Sequence, residues 1–264
     1  MLNSRWAAYV TRYTEEILSW SRPVKTLSLS AGLLLRIMAT VVMPAGSVVF
    51  AQSDPPASSN QAPPLWASAG IEALDSGLYR IGTVLIDRKN SAVSIPGAVN
   101  MREGAIEYLA VTPDGKTYES VLTLKTKPLH LQLALLLLGA EFGGGLAYQG
   151  DSALPAGDSV DMYVAWLDEQ GKTVTHPATD LLYDREARRA MPKSKWIFTG
   201  SVIRDSASFA ADVEGSIIAV YSDPVAILNN PRSGRFDQTT YNPNTDLLPA
   251  LGTEITMTIV VPKR

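Results

Sequence analysis

The chain has 264 residues, 46% hydrophobic and 19% charged, an ordinary globular composition that can bury a real core. It has no cysteine, which excludes disulfides, thiolate zinc sites, thiol nucleophiles, cysteine-held iron–sulfur clusters and a lipid-modified cysteine. The net charge of −3 is uneven: residues 1–51 carry Arg5, Arg12, Arg22, Lys25 and Arg36 against Glu15 and Glu16, and the net-acidic remainder repels phosphate backbones, so nucleic acid is not an expected partner.

Residues 26–51 form an almost wholly apolar run interrupted by Arg36, broken by Pro44 and Gly46, and ending at Val49-Phe50-Ala51. A positive region, an apolar region and a small-residue exit describe a secretion signal, with cleavage expected between Ala51 and Gln52. The alternative is an uncleaved anchor over residues 27–51. A spanning helix needs about 20 apolar residues, and Arg36 and Pro44 both weaken one. Location is therefore expected to be periplasmic or in the cell envelope, with membrane contact only through this segment. Residues 52–76 follow as a linker rich in Pro, Ser and Ala, too polar and aperiodic to order itself. The domain is expected over residues 77–264.

Strand signals dominate the domain. Residues 79–87 and 92–95 flank the turn Arg88-Lys89-Asn90 and predict a hairpin. Residues 106–111 and 117–124 flank Pro113-Asp114-Gly115 and predict a second one, with Gly115 left-handed in a three-residue loop. Residues 160–167 alternate and turn back at Asp168 to Gly171 into 173–175, and further strands are predicted at 196–199, 216–221 and 254–261. One convincing helix covers about 128–139: Pro128 suits a first turn, LHLQLALLLL is apolar nearly all round, and Gly139 stops it. A second short helix is predicted over 224–228. The expected fold is mainly β or α+β, β-sandwich-like, with antiparallel sheets around one buried helix.

The second hairpin carries the most chemistry. A three-residue loop sets Leu109 opposite Glu119 and Glu107 opposite Val121, so Glu107 and Glu119 share a face on the order of 5–8 Å apart. The other face, with Ile106, Tyr108, Ala110, Tyr118, Ser120 and Leu122, is the expected core side. Two close carboxylates suit acid/base work or a hard cation, whereas a solvated sheet face is the plainer reading. His130 falls in the first turn of the helix, where the positive helix end favours the neutral ring, and a hydrogen-bonded core role is the plainer one. With only His130 and His176, and no HExxH spacing, no metal site is expected. Asp223 and Asn229 or Asn230 are expected to cap the short second helix, and Trp166 and Trp196 to sit in the core.

Four blocks, NMREGAIEYLAVTPDGKTYESVL, KPLHLQLALLLLGAE, DLLYDREARRAMPKSKWIFTGS and EGSIIAVYSDPVAILNNP, occur in order and together resemble the YdjY-type domain family over roughly residues 77–261. The resemblance implies an exported bacterial protein of a family whose role is largely unknown. It marks Arg102, Glu103, Gly104, Glu107, Glu119, Ser120, His130, Trp196, Gly200, Asp223, Asn229, Asn230 and Pro231 as motif positions, for a shared site or a shared fold. Some relatives resemble ferredoxin-type proteins through an added cysteine-rich part, which a chain without cysteine does not carry over.

The favoured expectation is an extracytoplasmic binding or structural module, without a cofactor, whose partner is an envelope protein or a small ligand. The alternatives are an envelope hydrolase or isomerase using Glu107, Glu119 and His130, and an accessory protein of a redox complex. The enzyme alternative requires those three side chains to converge.

Overall fold

The computed structural model describes residues 69–204 and 208–263. The expected secretion segment and residues 52–68 of the expected linker lie outside the described residues. The first described strand falls inside the stretch assigned to the linker: β1 (Ile71–Asp75) pairs antiparallel with β2 (Leu78–Ile81).

The run expected as one strand over 79–87 is two. β2 turns at Gly82, left-handed at φ +57°, into β3 (Val84–Asp87), because glycine takes that conformation without steric cost. β3 then forms the expected hairpin with β4 (Ala92–Val99), pairing Asp87 with Ala92.

The remaining strands of the main sheet are β5 (Tyr108–Val111), β6 (Ser120–Leu124), β7 (Ser159–Leu167), β8 (Thr173–Pro177), β9 (Trp196–Phe198), β10 (Ser216–Ala219), β11 (Leu228–Asn229) and β12 (Glu254–Val260). Eight of these 12 strands close a ring in the order β4-β12-β7-β9-β11-β10-β5-β6, and β6 pairs back onto β4. The architecture is a closed barrel, not a sandwich. Closure removes strand edges that two stacked sheets would have to protect.

Closure depends on β4 changing partners along one edge. Its first half pairs with β3, and Gly97, Ala98 and Val99 pair with Leu124, Thr123 and Leu122 of β6. The change falls at Pro96-Gly97. Backbones approach so closely there that a Cβ on Gly97 would lie 2.3 Å from the Thr123 carbonyl oxygen.

The ladder is mixed, because β5–β6 and β10–β11 are parallel. The first of these corrects the expected hairpin. A turn does form, with Gly115 N–H donating to the Thr112 carbonyl at 3.0 Å. Gly115 is not left-handed, however, and its backbone is packed against Gly215. Thr112 N–H donates to the Gly215 carbonyl at 2.8 Å, so the chain is carried towards β10. A 3-10 turn over Thr117–Glu119 follows. The Asn100 side-chain amide donates to the carbonyls of Thr117 at 2.6 Å and Ser120 at 2.7 Å and pins the entry to β6.

Helix α1 (Pro128–Leu137) forms where expected and packs on β3 and β4. It buries Leu131, Ala134 and Leu135 but leaves Leu136 and Leu137 part-exposed. Its N-terminus is capped from elsewhere: Leu129 N–H donates to the Asp212 carboxylate at 2.8 Å. Asp212 lies in α2 (Ala210–Glu214), a short helix that the sequence reading missed. The helix expected over 224–228 is absent. Those residues turn directly into β11, whose bonds to β9 and β10 outweigh one isolated helical turn. Both faces of β5 are buried, since Tyr108, Leu109, Ala110 and Val111 are all inaccessible. Tyr118, expected in the core, is 74% exposed because it sits in the 3-10 turn before β6.

Candidate functional site

Glu107 precedes β5 and Glu119 ends the 3-10 turn before β6; Glu107 N–H donates to the Glu119 carbonyl at 3.0 Å. The two carboxylates therefore meet through the parallel β5–β6 pairing rather than across a hairpin. They line an open cavity of about 350 Å³ with Lys116, Tyr118, Gln149, Tyr221 and Gln238.

Two amides hold Glu107. Gln149 donates to one carboxylate oxygen and Gln238 to the other, from loops 42 and 131 residues away in the chain. The Gln149 loop is itself tied down. Asp151 accepts from the N–H groups of Ala147 and Ala153, both at 2.9 Å, and Gly150 N–H donates to the Ser222 carbonyl at 2.7 Å. The buried guanidinium of Arg235 donates to the carbonyls of Ser152, Ala153 and Arg232. Tyr221 packs so tightly over Gly150 that a Cβ there would lie 2.0 Å from its hydroxyl.

Behind the cavity runs a buried polar chain. The Lys116 ammonium donates to the Tyr108 hydroxyl at 3.0 Å and lies 5.2 Å from the centre of its ring. Tyr108 donates to Asp223 Oδ2 at 2.9 Å. Asp223 Oδ1 accepts from Val225 N–H at 2.8 Å, and its backbone N–H and carbonyl are both bound by the Asn229 side chain. Asn229 Nδ2 also donates to the Thr199 hydroxyl at 2.9 Å. Asp223 and Asn229 thus organise the turn into β11 instead of capping a helix. Asn230 closes the same region, donating to the Val220 carbonyl at 3.1 Å and accepting from Arg232 N–H at 3.0 Å.

Burial pushes the Glu107 carboxyl above its ordinary range, partly offset by Lys116. Burial and then the charge on Glu107 push Glu119 up as well. Burial, reinforced by Asp223, keeps the Tyr108 phenol protonated as a donor.

The other motif positions lie elsewhere. Arg102 donates to the Thr245 carbonyl at 2.9 Å and accepts that residue's hydroxyl at 2.7 Å through its own carbonyl, which fixes a loop. Glu103 is exposed in the bend before β5. His130 packs over the Gly82 turn, where a Cβ would lie 2.5 Å from its Nδ1. Burial and then Lys127 lower its pKa, and Asp212 is the carboxylate that acts on it. It does not line the Glu107 cavity. Trp196 is buried in β9.

Sequence reasoning missed Tyr108 as a polar group, and Lys116, Gln149, Tyr221 and Gln238 altogether. Lys116, three residues from Glu119, carried the only local signal. Among the described residues, no group of three or more His, Asp or Glu side chains could hold a metal ion, and no helix is long and apolar enough to cross a membrane.

No curated protein and no solved structure matches the chain. The model of the YdjY domain matches residues 84–260, which takes in β3, all eight strands of the barrel, α1 and the Glu107 cavity. The chain therefore belongs to the YdjY domain family.

Proposed function

We propose that the protein is an extracytoplasmic binding module whose Glu107 cavity takes a polyhydroxylated ligand of the saccharide class. The observation that carries this reading is the fixed array of planar polar groups: Glu107 clamped by Gln149 and Gln238, with Glu119 beside it. Carboxylates and amides accept from and donate to neighbouring hydroxyls, and a carboxylate acceptor makes the stronger, charge-assisted bond. The cavity lining is almost wholly polar, which suits a ligand held through its hydroxyl groups. Lys116 beside two carboxylates works against a divalent cation as the occupant.

Export rests on the charged, apolar and small-residue order of residues 1–51 and on the absence of cysteine, which suits an oxidising compartment. Fractionation with N-terminal sequencing tests it, with Gln52 expected as the mature terminus. The enzyme reading gains no support from His130, which lies outside the cavity.

Titration of the full chain with a panel of envelope-type mono- and disaccharides tests the ligand class. Saturable NMR shifts at Gln149, Gln238 and Tyr118 are expected. Gln149→Ala should weaken binding by about tenfold, the order of one hydrogen bond to an uncharged partner. No saturable shift with any sugar would overturn the reading.

A further inference from the structure

The apolar surface that the Glu107 cavity lacks lies next to it. A second open cavity, of about 420 Å³, is walled mainly by Phe142, Leu146, Val202, Pro224 and Val225. Gly200 leaves room for the Phe142 ring: its backbone is left-handed at φ +70°, and a Cβ there would stand 2.7 Å from the ring. Phe142 meets Phe198 edge-on, with ring centres 5.9 Å apart, yet it remains 51% exposed, and Val202 is 54% exposed. Apolar side chains around a concavity of this size are the surroundings that small ligands occupy.

The polar side chains in the wall are already engaged. The Thr199 hydroxyl donates to the Ala226 carbonyl at 3.1 Å, and the Ser201 hydroxyl accepts from Ala211 N–H at 3.2 Å. Arg204 pairs with Glu214 at 2.9 Å. None of the three calls for a charged occupant. The chemistry that fits is an uncharged hydrocarbon group, held by its removal from water.

Two chain segments place the cavities side by side. Ala147 lines the apolar cavity, and Gln149, two residues on, clamps Glu107. Pro224 lines the apolar cavity, and Tyr221, three residues back, lines the other. Two residues of chain span at most about 7 Å and three at most about 11 Å, which is within the reach of one small molecule. Tyr148, between Ala147 and Gln149, is 62% exposed, so the rim between the cavities faces solvent. Asp151 holds the Ala147 N–H, which fixes the spacing across that rim.

We infer, resting on the saccharide reading, that the ligand is amphiphilic: a glycoside whose sugar occupies the Glu107 cavity and whose uncharged hydrocarbon aglycone lies in the Phe142 cavity. The polar cavity selects the sugar, and the apolar one supplies the burial that hydroxyl contacts lack.

The test is NMR titration of the full chain with the methyl and octyl glycosides of glucose and of N-acetylglucosamine, kept below the concentration at which micelles form. The octyl glycoside should bind about tenfold tighter or more than the methyl glycoside of the same sugar, which burial of two methylenes supplies. Its shifts should reach Leu146 and Val202 as well as Gln149 and Gln238. Val202→Asp, a charge on an exposed wall position, should remove the gain, and Leu146→Ser serves should that variant not fold. Equal affinity for methyl and octyl glycosides would overturn this inference and leave the saccharide reading standing. Octyl shifts confined to the Phe142 cavity, or no saturable shift with any of the four, would overturn both.

Discussion

The Tyr108 hydroxyl donates to Asp223 at 2.9 Å, joining β5 to the turn before β11 across 115 residues of chain, with both groups buried. The same oxygen accepts from Lys116, so one phenol links the cavity to the interior polar chain. Replacing it removes a donor to a buried carboxylate and leaves that oxygen unsatisfied. Tyr108→Phe should lower unfolding free energy by about 1–3 kcal/mol, read from the urea midpoint at unchanged slope.

Glu119 provides a pH signature. Its carboxyl is pushed above its ordinary range by burial and by Glu107. The folded state therefore holds that proton more tightly than the unfolded chain. Its contribution to stability is fully present below the unfolded pKa and is lost as pH rises through the folded one. Glu119→Gln should melt higher than wild type at about pH 7, and the difference should vanish by about pH 3, where both states are protonated. Melting curves across that range check the sign.

At Gly150 a methyl group has no room beneath the Tyr221 hydroxyl. Gly150→Ala should displace Tyr221 and the adjoining Gln149, costing about 1–3 kcal/mol of stability as overpacking does. It should also weaken saccharide binding in the titration, because Gln149 would no longer reach Glu107.

Gly97 tests barrel closure. Its would-be Cβ meets a carbonyl oxygen of the main chain, which cannot rotate away as a flexible side chain would. Gly97→Ala should destabilise by at least about 1–3 kcal/mol and expose the β4–β6 amides to hydrogen exchange before those of β4–β12.

Local signals were legible in the sequence and long-range ones were not. The β3–β4 and β7–β8 hairpins follow from alternation and an adjacent polar turn, and α1 from Pro128 and its apolar run. Pro113-Asp114-Gly115 misled because its turn is real, while the path beyond it is set by Gly215 and Asn100, which a local window does not contain. Pro96-Gly97 hid the second half of β4, since both residues usually end strands. Glu107 and Glu119 stood out as charged positions beside a strand pair. Gln149 and Gln238 had no such mark, because ordinary loop residues become partners of Glu107 only once the barrel brings their loops together.

Residues 254–260 stand between β4 and β7 in the ring, each of which pairs with them along one edge. Deleting that stretch would therefore open the barrel and bare two raw strand borders at once, a template for sticking to other chains.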